Sequence, residues 1–343
     1  MNSSISSSEG ARSSLGPARV WARFALLMLG ATACLVMALM AFLYVLDPYD
    51  TGRPGWFSKP GVRPQGPRTA AASRGRDPAF NAAIFGNSHV QLLSPERLDA
   101  QTGLSFVSLI APATHPREQL ALMDWFLRHH PGRARAVVIG VDGNWCTPNP
   151  ALPNEKPFPF WLYERSTLRY AAGLVRFDLL EEASRRLDWL RRLNPERARP
   201  DGYWDYEPNY INLGYDVRPD RRAILEKPSS AVPANPEGLF PAAKALAEAM
   251  SGWEPAIRVA LVVPPVYRTA LPEPGSQLER ADIACRAALR QVADARAGAV
   301  FIDMRNLSPE AQDASLWFDH THYRRAVAEK VERAVAAALA GGS

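Results

Sequence analysis

Histidine and cysteine are scarce in this 343-residue chain, with six of the first and three of the second. Cys34 sits in an apolar run, and no further Cys or His spacing completes a set of four ligands, so a structural metal site has no support. That leaves Cys146 and Cys285, which could pair in an oxidising compartment. Their spacing does not decide the matter, and two inert buried thiols are expected. Long blocks of one charge are missing too. The 40 basic residues are scattered among 35 acidic ones, for a net charge of +5, which argues against a nucleic-acid partner. There is no internal repeat, and low complexity is confined to the two ends.

What the chain does have is apolar material, 47% of its residues, enough to build one large core. Residues 24–46 carry no charge at all. At 1.5 Å per residue such a run crosses a hydrocarbon layer of about 30 Å, which makes it a transmembrane helix candidate. Arg12, Arg19 and Arg23 precede it and Asp47 and Asp50 follow it, so the positive-inside rule places the N-terminus in the cytoplasm and the bulk of the chain outside. A cleaved signal peptide would have a shorter apolar region and a small-residue cleavage site, which 43–48 does not offer. The expected layout is a disordered cytoplasmic tail over 1–20 and a transmembrane helix over 21–46. A Pro/Gly-rich segment over 47–78 reads as a tether or a loop wrapped on the domain, and a folded domain covers 79–343.

Within that domain apolar runs alternate with amphipathic stretches. Strands are expected at 82–85, 105–110, 134–141, 258–263 and 299–303. Helices fall at 95–102, 116–130, 236–251, 276–295 and 323–339. Strand, helix, strand implies parallel pairing with right-handed crossovers, hence an α/β fold: a five-stranded, mostly parallel sheet between two helical layers. An insertion rich in Pro, Trp and Tyr, at about 147–236, interrupts the alternation, with one helix expected over 165–193.

The first strand ends in Gly86-Asn87-Ser88-His89. In an open parallel sheet ligands bind beyond the carboxyl ends of the strands, so Ser88 is lifted to the functional rim. Far along the chain, Asp319-His320-Thr321-His322 follows the last strand and lies on the same rim. A serine hydroxyl needs a base, and an imidazole oriented by a carboxylate is the usual supply. Taken singly, each residue has a plainer role: Ser88 as a helix cap, Asp319 as a cap of the closing helix, His322 as a surface residue.

Gly86-Asn87-Ser88-His89 and Asp319-x-x-His322 together resemble the first and last motif blocks of the SGNH (GDSL-like) hydrolase superfamily. The N-terminal anchor and Pro116-Arg117-Glu118-Gln119 are similar to its membrane-anchored branch. That branch includes DltD-like proteins and acyl-transferring partners of membrane-bound O-acyltransferases in envelope polysaccharide modification. The resemblance covers roughly 80–145 and 255–340 and implies a Ser88 nucleophile, a His322 base and an orienting Asp319.

It also implies oxyanion donors, and here the sequence departs from the pattern. Ala113 stands where a glycine is usual, and Asp142 stands in register for the donor asparagine, with Asn144 two residues on. The expected function is a membrane-anchored, extracytoplasmic esterase or O-acyltransferase acting on envelope glycan without a cofactor. Its partners would be the glycan acceptor, the membrane and a membrane-bound O-acyltransferase. Two other readings are a catalytically silent glycan-binding scaffold and, from the Asp-His-x-His cluster, a metal-dependent hydrolase.

Substrate contacts are sought at His115, for which a solvated loop histidine is the plainer reading, and at the aromatics Trp145, Trp204 and Tyr206, whose flat faces suit sugar rings but whose default role is core packing. His89 reads as a solvated loop histidine, and Arg185 and Arg186 as a solvated helix face.

Overall fold

A computed structural model describes residues 15–56, 66–176, 178–191 and 199–341, so most of the expected N-terminal tail, residues 1–14, lies outside the described residues. The chain opens with α1 (Leu15–Leu46), whose 28 residues Arg19–Leu46 are long and apolar enough to cross a membrane. Most of α1 is bare, with Leu26 and Leu27 about 70% exposed, yet its last turn buries Leu43 and Leu46 in the main core.

The segment after α1 wraps the domain. Asp47 accepts from Thr51 Oγ1 (2.9 Å), the Gly52 N–H (2.7 Å) and Tyr170 OH (3.2 Å). Asp50 takes Arg76 at 2.6 Å and the buried Arg186 at 2.8 Å. Next comes α2 (Pro67–Arg74), with Ala70, Ala71 and Ala72 buried. The folded body therefore starts near residue 43, and the boundary expected at 79 is corrected, because two buried carboxylates and an alanine face tie this stretch down. Arg186, expected in a solvated face, is an interior ion-pair partner.

The domain proper runs β1 (Ala82–Phe85), α3 (Pro95–Thr102), β2 (Phe106–Ser108), α4 (Pro116–His129) and β3 (Ala136–Gly140). The insertion holds four short helices, α5 (Thr167–Gly173), α6 (Asp178–Leu190), α7 (Glu207–Asn212) and α8 (Pro219–Arg222). After it come α9 (Pro241–Ser251), β4 (Arg258–Val263), α10 (Gln277–Asp294), β5 (Ala299–Asp303), α11 (Pro309–Gln312) and α12 (Arg325–Ala340). One helix was expected over 165–193. The chain instead ends α5 at Gly173, where a Cβ would lie 2.4 Å from the Trp161 ring.

All five strands are parallel, in the order β2-β1-β3-β4-β5. Side chains of a strand alternate between faces, and the core divides accordingly. Ala83, Phe85, Val137, Ile139 and Leu261 join α4, α9 and α10 on one side. Ala82, Ile84, Val138 and Val262 join α3 and α12 on the other. Strands covered on both faces are apolar throughout, which is why they read as continuous runs. Chain order reverses between β1 and β3, so a crevice opens there at the carboxyl edge.

Cys146, in the turn after β3, is disulfide-bonded to Cys285 on the inner face of α10. This corrects the expectation of two free thiols. The partners are 139 residues apart in sequence, and only the packing of α10 over that turn brings them together.

Candidate active site

Two glycines seat the first element of the site. A Cβ on Gly86 (φ +150°) would fall 2.4 Å from Val90 Cγ2, and one on Gly140 would fall 2.6 Å from the same methyl. Val90 thus sits directly on the ends of β1 and β3, and the short 3-10 turn Ser88–Val90 cannot lift away. Asn87 caps that turn by accepting from the His89 N–H at 3.0 Å, while its own amide donates to Asp142 at 2.6 Å. Ser88 stands half-buried on the rim. Neither its hydroxyl nor its backbone N–H has a hydrogen-bond partner among the described residues.

The loop before α12 supplies the second element. Trp317 pairs with Tyr323 as an antiparallel bridge, the Phe318 N–H donates to the His322 carbonyl (2.9 Å), and all three aromatics are fully buried. The tight loop held between them presents Asp319 and His322. Asp319 Oδ1 accepts the N–H groups of Thr321 and His322, both at 2.9 Å, and His322 Nδ1 lies 2.9 and 2.8 Å from the two carboxylate oxygens. Burial alone would raise the Asp319 pKa. The imidazole and the two N–H groups outweigh it and hold the carboxyl down at about 2. An Nδ1–H engaged by a carboxylate leaves the lone pair on Nε2, the form a general base needs.

A second histidine completes the arrangement. His89 Nδ1 lies 2.7 Å from Asp142 Oδ2, and the His89 and His322 rings meet edge to face with centroids 5.6 Å apart. Asp142 is buried, and it also accepts from the Asn144 N–H (3.1 Å) and side-chain amide (3.2 Å). Against the cost of burial, His89 and Asn87 hold it below the ordinary carboxylate range. Its assignment to the oxyanion hole is corrected, since a carboxylate that only accepts cannot donate. Asn144 has one amide hydrogen committed to Asp142 and the other to spare. His89, expected as a solvated loop residue, is instead a fixed member of the site. The available signal was the Asp at the end of β3, because β1 and β3 run in register up to Phe85 and Ile139.

The remaining candidates separate by burial. Ala113 adopts the left-handed φ of +53°, the conformation its glycine-like place suggests, and its N–H has no acceptor among the described residues. His115 starts α4, its N–H donating to Glu118 at 3.1 Å and its ring 3.8 Å from Glu155. Trp145 is wholly buried, donating to Gln119 at 3.1 Å, so its ring is core rather than a sugar platform. Tyr206 is likewise buried, its hydroxyl on the Tyr323 carbonyl (2.8 Å) and its ring edge-on to His322 at 5.5 Å, where it positions the imidazole. Tyr210 covers the other side of that ring at 5.2 Å. Trp204 is 52% exposed and lines a cavity beside the rim. His320 turns away to the Lys227 carbonyl (2.8 Å), and among the described residues no three His, Cys, Asp or Glu side chains converge on a metal position.

Compared with protein-family models, curated proteins and solved structures, the chain matches none.

Proposed function

We propose that this chain is a membrane-anchored serine acyltransferase or esterase of SGNH type, with its domain outside the cytoplasmic membrane and envelope glycan or polysaccharide as its substrate. The observation that carries the reading is the Asp319–His322 pair at 2.8 Å, on the same sheet rim as the unpartnered Ser88 hydroxyl.

In the proposed cycle Ser88 Oγ attacks the acyl carbonyl while its proton passes to His322 Nε2, and Asp319 stabilises the imidazolium. The N–H groups of Ser88 and Ala113 and the spare amide hydrogen of Asn144 face the developing oxyanion. Collapse expels the alcohol, which takes the proton from His322 and leaves Ser88 acylated. Water or a glycan hydroxyl then attacks and gives its proton to His322, and as the acyl–Oγ bond breaks Ser88 takes that proton back.

Transfer to a glycan is favoured over hydrolysis by the anchor, which holds the rim close to a membrane-bound acyl donor such as an O-acyltransferase. The arginines before the uncharged run 24–46 and the Cys146–Cys285 disulfide support the extracytoplasmic placement. Full-length protein in detergent micelles, mixed with p-nitrophenyl acetate and quenched, is expected to carry one acetyl group on Ser88 by peptide mass spectrometry. No adduct in the wild type, or an unchanged adduct in Ser88→Ala, defeats the reading. The first of those outcomes favours a non-catalytic glycan-binding subunit, a reading to which the absence of a Ser88–imidazole hydrogen bond lends support.

A further inference from the structure

Three arginines are buried among the described residues, and they are not alike. Arg186 ends on Asp50 at 2.8 Å and Arg305 on Asp282 at 2.7 Å. Arg74, only 6% exposed, has no carboxylate within ion-pair distance among the described residues. Its guanidinium donates one hydrogen bond, to the Arg199 carbonyl at 3.3 Å, and its Nε has no partner. Burial lowers Arg74 to about 10, which leaves it a cation at neutral pH. Asp201 acts on it from beyond ion-pair distance but is itself paired with Arg199 at 2.5 Å, so the buried cation has no counter-ion in contact, a costly arrangement unless something supplies the missing charge.

Arg74 lines a cavity of about 650 Å³, within the range of ligand sites, between the 3-10 turn that carries Ser88 and the insertion. Gln91, 95% buried, lies on the same wall. Its Nε2 donates to the Trp204 carbonyl (3.3 Å), its Oε1 has no partner, and its backbone N–H donates to the Ser88 carbonyl (3.3 Å). The opposite wall is fastened down. Asp201 O accepts the Ser108 N–H at 2.7 Å, and Gly202 (φ +77°) lies so close to β2 that a Cβ would fall 2.3 Å from Ser108 O. The acidic side chain on this wall, Asp205, is already taken by Arg325 at 2.6 Å.

We propose that this cavity binds an acidic sugar unit, with its carboxylate on Arg74, a hydroxyl on Gln91 Oε1 and its ring against the exposed face of Trp204. A planar guanidinium matches a carboxylate fork, an unpartnered amide oxygen calls for a hydroxyl donor beside the anion, and an indole face covers the apolar side of a pyranose. The inference rests on and deepens the reading above by giving the acceptor a place at the end of the turn that carries Ser88, where Gln91 lines the cavity. The anion site itself does not depend on Ser88 reacting.

Full-length protein in micelles, titrated calorimetrically with trigalacturonate and with neutral maltotriose, is expected to prefer the uronate by about tenfold or more. Arg74→Met should lose that preference, Trp204→Ala should weaken uronate binding about tenfold, and Ser88→Ala should bind like the wild type. Equal binding of the two trisaccharides overturns the proposal, as does glycerol phosphate binding as tightly as trigalacturonate. Should Arg74→Met not fold, Trp204→Ala and the weakening of uronate binding by salt remain, and no change in either overturns it. Uronate binding without an acyl-enzyme defeats the catalytic reading alone, and an acyl-enzyme without uronate binding defeats this inference alone.

Discussion

The imidazoles of His89 and His322 meet edge to face at 5.6 Å, and each is held through Nδ1 by a carboxylate of its own, Asp142 for one and Asp319 for the other. Both rings therefore offer a basic Nε2 at the rim that carries Ser88. Asp319 also serves two backbone N–H groups, the Thr321 hydroxyl and the Tyr210 side chain, and it sits with His322 on one tight loop, whereas Asp142 ties His89 to Asn87 and Asn144.

The proposed function takes His322 as the base. His322→Ala is expected to slow single-turnover acylation of Ser88 by about 10²- to 10⁴-fold, the usual contribution of a positioned base. His89→Ala should cost only about tenfold, through loss of packing against the His322 ring. A larger loss in His89→Ala than in His322→Ala would reverse the two roles.

Asp319 gives a stability signature in acid. Its folded-state pKa of about 2 is below the ordinary value, so its contribution is fully present above about pH 4 and is lost as pH falls through about 2. The shift corresponds to about 2 kcal/mol. Denaturant titrations at pH 5 and pH 2 should show a drop of that order in the wild type, and Asp319→Asn should remove this share of it.

Reduction of Cys146–Cys285 should destabilise the domain by about 2–5 kcal/mol, since the bond closes a loop of well over a hundred residues. For a domain of this size that is a fall in Tm of roughly 5–15 °C with reductant or in the double serine variant. An unchanged Tm would mean that the two sulfurs are not bonded in the protein as it is made.

Ala113 holds a left-handed φ of +53°, which costs an alanine about 1–2 kcal/mol and a glycine almost nothing. Ala113→Gly is therefore expected to raise stability by about 0.5–1 kcal/mol, less than the full strain because glycine gains entropy in the unfolded chain. Acylation should continue, because the N–H donor is retained. A loss of stability would show that the alanine methyl contributes packing that outweighs its strain.

The first four strands were legible because they are covered on both faces and read as nearly unbroken apolar runs, and the half-buried edge strand β5 because its apolar run is bounded by turn residues; 82–85, 258–263 and 299–303 were located to the residue. The Ser88 and His322 motifs were visible for a related reason, since strand ends in a parallel sheet share one edge. Long-range pairing was not visible. Nothing local in the sequence marks Arg186 as the partner of Asp50, His89 as the partner of Asp142, or Cys285 as the partner of Cys146. Nor can composition distinguish Trp145, sealed in the core, from Trp204, half in solvent, because both combine an apolar face with a polar edge.

The junction after α1 has a consequence for reach. Leu43 and Leu46 are sunk in the core, and Asp47 and Asp50 are held by Tyr170, Arg76 and Arg186. This connection is a bracket rather than a leash. With α1 in a bilayer, the Ser88 rim is carried at one height and one tilt, and the domain cannot search along a polymer by swinging. Under the proposed function, substrate and acyl donor must then be brought to that height, and the length of the bracket sets which layer of the envelope is reached.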